Sequence, residues 1–535
     1  MPSIIKKAAL CFIAAMLLII SLRALNPDRW SGWDFGDAQT LLSLNQWDKR
    51  GPLECKLLFA PQGYAPFMEL LDEGELRRHA HGISPRASPA AGPRLLYTHY
   101  PAGYLLPQAA VYLTGIQQVW ALRIMQAVFS CCALVFLFLT FELLAGPAAA
   151  LCGLIFYAVS PAFLSFADSL ANQPIDDLFR FAFMFLILAG KKPEKQLWFN
   201  RAAWFCLFLL SLCSYDSVIF CLLWVAAADY ISGERINPRR LFIFALAPVA
   251  AGILQLAQNS WYLGFATAAA DIKSTLLMRM MTHSSLREKF INAIYPYYFS
   301  FGKAGFLAAL GCGAAIAVYW KDKRFSRAAL SLLACGAAFM VALPSAASLS
   351  YQTRQLMPFI SFCFASAIAG FFFNRDTGRA KVIPAVLLTA VFTGFIWRLP
   401  GQFRPGPITK DINISLARAL DKIPTEKPAV LFELGFFTEN GCWERDFVEG
   451  YHQPHPLLEY YFGKKLILSF SRPQDLAHDL RLILDKSKAG FSPIVAAKDK
   501  QALDGIISAL KAEKIPEANG TIRTFSLGGR AAAGI

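Results

Sequence analysis

The sequence predicts an all-α polytopic membrane protein of about eleven transmembrane helices, followed by a soluble C-terminal α/β domain. Three observations carry that prediction. Of the 535 residues, 56% are hydrophobic and only 17% are charged, whereas soluble domains are about a quarter charged. Apolar runs of roughly 18–22 residues recur, the length that crosses a hydrocarbon core of about 30 Å. Basic residues collect in alternate connections between those runs.

Taken in order, the apolar segments fall near residues 4–22, 121–143, 147–166, 177–190, 201–214, 217–230, 240–262, 296–319, 327–345, 355–373 and 381–399. The basic connections hold Lys6 and Lys7, then Lys191, Lys192, Lys195 and Arg201, then Arg235, Arg239 and Arg240. Lys321, Lys323, Arg324 and Arg327 follow, and then Arg375, Arg379 and Lys381. Short cytoplasmic loops are enriched in Lys and Arg, so this pattern places the N-terminus in the cytoplasm and the tail outside. The net charge of +15 is therefore topology and not the footprint of a nucleic-acid binder. The same pattern requires residues 201–230 to form two short spans with Tyr215-Asp216-Ser217 at their outer turn, because one long helix would invert every later loop. Lys6-Lys7 ahead of Ala8–Leu22 resembles a signal peptide, but no small-x-small cleavage site follows and Arg23 flanks the run, so a retained anchor is expected.

The membrane domain expected from sequence covers 1–399 and includes a large outer loop over about 23–120. Within that loop Gly82 to Pro93 is rich in Gly, Pro and Ser and reads as coil. Leu105 to Val119 is apolar but short and interrupted by Pro107 and glutamines, which suggests a helix lying on the membrane surface. Residues 400–535 have globular composition. Ala429–Leu434, Lys465–Phe470, Pro493–Ala497 and Thr521–Leu527 read as buried strands, and Asn413–Asp421, Gln474–Lys486 and Lys500–Lys511 as helices, with Leu476, Leu480 and Ile483 on one face. No glycine-rich phosphate loop occurs there. Ten of the twelve cysteines lie in apolar segments and read as small buried hydrophobes. Cys55 and Cys442 are the two placed on the outer face, where disulfides persist, so they read either as a Cys55–Cys442 bridge or as two separate thiols.

The residues able to carry chemistry concentrate at the expected outer ends of the spans. Asp34 and Asp37, in Trp33-Asp34-Phe35-Gly36-Asp37, share one face if helical. Carboxylates held there can deprotonate an acceptor hydroxyl or ligate a divalent cation, or Asp34 can simply cap a helix. Asp168, Asp176 and Asp177 lie in the next outer loop with Asn172 and Arg180 nearby. Asp177 and Arg180 enter an apolar run, so they read as the wall of a polar cavity or as an i,i+3 ion pair sealing a helix end. His99, in Tyr97-Thr98-His99-Tyr100-Pro101, reads as a phosphate or metal contact or as a structural loop end. Arg354 suits a lipid phosphate because its guanidinium stays charged and offers a planar fork of donors; the alternative is interfacial snorkelling.

In order and sidedness these pieces resemble the GT-C glycosyltransferases, most closely the bacterial branch of protein mannosyltransferases and lipid A aminoarabinose transferases. The resemblance runs over about residues 1–375 through Gly36-Asp37-Ala38, Thr98-His99-Tyr100-Pro101-Ala102-Gly103-Tyr104, Leu122-Arg123-Ile124, Asp176 or Asp177, and Arg354-Gln355-Leu356-Met357-Pro358. The chain departs from the family pattern at Ala38, Tyr100 and Ala102, where a second acid, a second histidine and a second proline are usual. The resemblance implies a polyprenyl-phosphate-linked sugar donor, a lipid, glycan or protein acceptor, contact with membrane lipids and no nucleic acid. It implies the bacterial inner membrane, with the C-terminal domain periplasmic. It implies Asp37 as the group that activates the acceptor, with Asp34 and Asp177 organising the site. His99, Tyr100, Asp176, Arg180 and Arg354 would contact substrate. A divalent cation (Mg, Mn or Zn) would sit on Asp37 and Asp177. The rival classes are a transporter, which predicts ionisable groups near the bilayer midplane, and a non-catalytic scaffold or sensor whose tail binds a partner.

Overall fold

The computed structural model describes residues 2–26, 30–32, 34–60, 96–191, 196–281, 284–373 and 381–403, and in the tail 429–434, 451–452, 466–470, 473–474, 476–477, 480–481, 492–497, 500–513 and 523–526. In chain order the helices begin with α1 (Pro2–Ala24), α2 (Asp34–Arg50), α3 (Leu105–Tyr112), α4 (Val119–Ala145), α5 (Pro147–Val159), α6 (Gln173–Ala189), α7 (Gln196–Cys213) and α8 (Val218–Ser232). They continue with α9 (Pro238–Leu263), α10 (Phe265–Arg279), α11 (Leu286–Phe301), α12 (Lys303–Tyr319), α13 (Lys323–Ala342), α14 (Met357–Phe373) and α15 (Val382–Phe403). A 3-10 turn, Ser350–Gln355, precedes α14. Two compact units form: residues 1–33 with 99–405, and residues 34–98 with 406–535. The division expected from sequence, 1–399 against 400–535, places residues 34–98 with the helical body instead.

In the first unit, each of the eleven apolar segments is helical over most of its length. Among the described residues, six helices are long and apolar enough to cross a membrane: Ser3–Ala24, Val119–Ala145, Gln196–Cys213, Pro238–Leu263, Lys323–Ala342 and Val382–Gly401. Four shorter apolar helices accompany them, Pro147–Val159, Val218–Ser232, Ala304–Tyr319 and Met357–Phe372. Lipid tails are as apolar as leucine, so packing rather than water exclusion holds such helices together. The packing here is aromatic: Phe156 stacks on Phe364 at 4.4 Å between ring centroids and meets Phe395 at 5.3 Å. Phe141, Phe181, Phe183 and Trp224 are fully buried.

Three segments differ from expectation. The run 147–166 is broken at Ser160, which ends α5 and whose Oγ accepts from the Phe163 N–H of a new turn opened by Pro161; proline has no N–H to continue the ladder. The run 296–319 is broken at Gly302, whose φ of +55° takes the chain out of helix between α11 and α12. The surface helix expected over 105–119 stops at Tyr112, eight residues long. By contrast, residues 201–230 divide into α7 and α8 around Ser214–Ser217, as the charge pattern requires; the Asp216 N–H donates to Ser214 Oγ at 3.2 Å.

Polar contacts give the helical body two distinct ends. At one end Lys6 near the start of α1 pairs with Glu142 near the end of α4 at 2.9 Å, and Arg324 at the start of α13 donates to Leu143 O at 2.7 Å. There too, Asp229 at the end of α8 accepts from Lys191 and from Arg240, the latter at 2.9 Å. At the opposite end lie Arg23, Arg123, the loop before α6, the α7–α8 turn and the 3-10 turn. The loop after His99 is fastened at this end: the Gly103 N–H donates to Leu212 O at 3.0 Å. A Cβ on Gly103 would lie 2.3 Å from that carbonyl, so only glycine permits the approach.

In the second unit α2 is closed by the segment that follows it. Trp47 Nε1 donates to Leu58 O at 3.0 Å, the Ala60 N–H donates to Ser43 Oγ at 3.0 Å, and Phe59 bridges Tyr97. The tail carries a five-stranded sheet of β1 (Ala429–Leu434), β2 (Tyr451–His452), β3 (Leu466–Phe470), β4 (Ser492–Ala497) and β5 (Arg523–Ser526) in the order β2-β3-β1-β4-β5. All neighbours are parallel except the short edge strand β2, and Leu431 stands opposite both Ile467 and Ile494. Parallel neighbours need crossover connections. One described crossover is α16 (Lys500–Ala512), which buries Ile506 and Leu510. Leu476 and Leu480 are buried as their spacing suggests, while Ile483 and the helix expected over Asn413–Asp421 lie outside the described residues.

Candidate active site at one end of the helical body

The start of α6 brings two carboxylates and an arginine inside the helix bundle. Pro174 presets the first turn and Asp176 occupies it, a placement that the helix dipole favours for an acid. One residue on, Asp177 Oδ1 accepts from Arg180 Nη2 at 2.6 Å and from Arg354 Nη1 at 2.7 Å, and its Oδ2 accepts from the Tyr157 hydroxyl at 3.1 Å. Arg354 also donates to Gln173 O and Tyr351 O, each at 2.9 Å, and its Nη2 lies 3.5 Å from Asp176 Oδ2. Arg180 donates to Gln355 Oε1 at 2.8 Å and stacks over Phe181 at 4.8 Å. Arg180, Arg354 and Asp176 are fully buried and Asp177 nearly so. Two acids and two guanidiniums balance in charge. The i,i+3 pair read from sequence exists, and Arg354 from the 3-10 turn completes it.

A second layer runs from this cluster to His99 and Tyr100. Ser217 Oγ donates to Asp176 Oδ2 at 2.6 Å, Gln355 Nε2 donates to Ser217 Oγ at 3.2 Å, and Gln352 Nε2 donates to Asp216 Oδ2 at 2.6 Å. The Tyr100 hydroxyl donates to the same Asp216 oxygen at 3.1 Å and accepts from Asn172 Nδ2 at 2.6 Å. Burial holds the Tyr100 hydroxyl well above its ordinary pKa. His99 Nε2 lies 2.9 Å from Asp271 Oδ1 on α10, both buried. Sequence reasoning missed Asp271, although a lone acid after three alanines in a helix of this body is a usable signal. Gln352 and Gln355 gave no such signal.

Asp168 closes the far side of the same end. It accepts from Arg23 at the end of α1 and from Arg123 at the start of α4, and Arg23 Nη1 donates to Leu164 O at 2.6 Å. Burial opposes the Asp168 charge, but the two guanidiniums outweigh it and hold the carboxyl below its usual range. This is a structural staple, and it explains why an arginine flanks each of the first two spans.

Asp34 opens α2 and Asp37 lies one turn later, fully buried, in the second unit. Asp177 does not suit a divalent cation, since guanidiniums and a phenol hydroxyl already satisfy both its oxygens. Among the described residues no group of three or more His, Cys, Asp or Glu side chains is placed to hold a metal. The Cys55 thiol is buried against Gln46 O at 3.9 Å, and burial pushes its pKa up; Cys442 lies outside the described residues.

No protein-family model matches the sequence, and no curated protein matches it. Solved structures do. ArnT of Cupriavidus metallidurans, bound to undecaprenyl phosphate, superposes with a TM-score of 0.50 at 11% identity, over 89% of this chain and 88% of that one. ArnT is a GT-C membrane glycosyltransferase. The chain has the GT-C fold. Weaker likenesses are the apo oligosaccharyltransferase of Archaeoglobus fulgidus (TM-score 0.45, 10% identity, 85% of this chain and 64% of that) and the mycobacterial arabinofuranosyltransferase AftD (0.43, 13%, 88% and 32%). The likeness to ArnT spans nearly the whole of both chains.

Arg354→Ala is expected to leave Asp176 without its ion-pair contact and Asp177 with half its compensation. Breaking a buried pair typically costs about 3–5 kcal/mol. Thermal melting of the purified variant in detergent checks this; an unchanged midpoint would show that Arg354 is not the shared partner.

Proposed function

We propose that the protein is a glycosyltransferase that moves a sugar from a polyprenyl-phosphate-linked donor to a lipid, glycan or protein hydroxyl at the outer face of the bacterial inner membrane. The observation that carries this reading is the GT-C fold, shared across 89% of the chain with a transferase that binds undecaprenyl phosphate. The gathering of buried acids and arginines at one end of the helices supports it. The acceptor oxygen bonds to the anomeric carbon, the bond from that carbon to the phosphate oxygen breaks, and polyprenyl phosphate leaves with the electron pair. Asp37 takes the acceptor proton, and Asp34 and Asp177 organise the site. Asp177, with Asp176 and Arg180, fixes the 3-10 turn, so that Arg354, His99 and Tyr100 serve the phosphate side. No step is routed through a metal.

The eleven-span topology, with the N-terminus inside and an α/β tail outside, belongs to this reading. Reporter fusions after Arg324 should register cytoplasm and a fusion at the C-terminus the outer face; a cytoplasmic C-terminus would overturn both the topology and the site.

General-base catalysis is worth roughly 10²–10⁴ in rate. Asp37→Asn, which keeps size but removes the base, should lower transfer from a labelled polyprenyl-phosphate sugar by about 10² or more. Near-normal turnover by a folded Asp37→Asn protein would reject the assignment.

A further inference from the structure

Buried carboxylates recur around this end of the body, and nearly all of them have a basic side chain at ion-pair distance. Asp168 has Arg23 and Arg123, Asp177 has Arg180 and Arg354, Asp176 has Arg354, and Asp271 has His99. Asp216 differs. It is buried in the turn between α7 and α8, and among the described residues no cation stands within ion-pair distance of it. Its partners are an amide and a phenol, Gln352 Nε2 at 2.6 Å and the Tyr100 hydroxyl at 3.1 Å, both on Oδ2.

What Asp216 holds is unusually well determined. The Tyr100 hydroxyl also accepts from Asn172 Nδ2 at 2.6 Å and lies 3.0 Å from Ser214 Oγ. Three groups, from the start of α6 and from the α7–α8 turn, thus converge on one phenol oxygen, more than is needed to satisfy a single O–H. Gln352, the other partner, sits two residues before Arg354 and accepts from Gln355 at 3.4 Å. Asp216 therefore joins the loop of Tyr100 to the 3-10 turn of Arg354.

We propose that Asp216 is a positioning residue of the transferase site, fixing the Tyr100 hydroxyl and the Gln352 end of the 3-10 turn as a hydrogen-bonding group and not as a counter-ion. It rests on the proposed function for its activity readout alone. A buried carboxylate without a counter-ion is costly in its charged form. The charged and titratable groups that act on Asp216 are Asp176 on α6, Arg354 on the 3-10 turn, Arg279 on α10 and Tyr100 on the loop. Burial and the Asp176 charge dominate and raise its carboxyl above the usual range, against the Gln352 hydrogen bond and the charges of Arg279 and Arg354. Because the folded value is raised, the stability that Asp216 contributes is complete below the usual carboxylate range. It is lost as the pH climbs through the raised value.

The experiment compares Asp216→Asn, Asp216→Ala, Tyr100→Phe and the double variant Asp216→Ala/Tyr100→Phe in the purified full chain. Asparagine keeps a carbonyl acceptor and cannot ionise. Asp216→Ala is expected to lower transfer about tenfold, and Asp216→Asn to recover most of that loss. The double variant should be no worse than Asp216→Ala, since both act through one hydroxyl. Melting midpoints followed from acid to mildly alkaline pH should fall less steeply for Asp216→Asn than for the unsubstituted protein. Three results would overturn the proposal: Asp216→Asn as impaired as Asp216→Ala, independent additive losses in the double variant, or an Asp216→Asn melting profile that keeps the full pH dependence. If the unsubstituted protein transfers no sugar, the functional reading fails, and the melting profiles still decide whether Asp216 acts uncharged.

Discussion

Arg354 and Asp177 meet at 2.7 Å inside the helical body, and neither charge is tolerable there alone. Removing either ion from water costs several kcal/mol even after relaxation, so the pair exists only where both arrive together. Asp177 comes from the first turns of α6 and Arg354 from the 3-10 turn before α14, 177 positions away in sequence. Their meeting requires α6 to start and the 3-10 turn to stop in register. Arg180 pairs with Asp177 and Asp176 lies against Arg354, which leaves the cluster neutral.

From that constraint the neighbouring polar groups inherit their places. With the 3-10 turn fixed, Gln355 reaches Arg180 and Ser217, and Gln352 reaches Asp216. Asp216 and Asn172 then hold Tyr100, beside the His99–Asp271 pair. Such a network at one end of the helices suits chemistry at a membrane face. A transporter would gather its charges near the middle of its spans and break helices there. The clusters around Asp168, Asp177 and Asp229 lie instead near helix ends, with the aromatic packing of Phe156, Phe364 and Phe395 between them.

Much of the fold was legible because membrane helices obey two strong rules, run length and loop charge. The split of 201–230 was decided by charge alone, and the structure breaks at Ser214–Ser217. What stayed hidden was local. Ser160-Pro161 and Gly302 interrupt apolar runs that hydropathy sees as continuous. The α10–α11 pair alternates apolar side chains with Asp271, Lys273, Arg279 and Arg287, and so resembles loop as much as helix. At the site, the ionisable members Asp177, Arg180 and Arg354 were visible because charges in apolar surroundings stand out. Asp271 was overlooked, and Gln352 and Gln355 were invisible, because neutral amides are ordinary until a fold points them at buried partners.

That this body serves a polyprenyl-phosphate donor is tested most directly by melting the purified full chain with undecaprenyl phosphate and, separately, with undecaprenol. A ligand that binds only the folded state stabilises it by about 2.7 kcal/mol at a hundred times its Kd. The predicted result is a saturable rise in the melting midpoint with the phosphate lipid and little or none with the alcohol. Equal shifts with both lipids, or no shift with either, would contradict a donor-phosphate site.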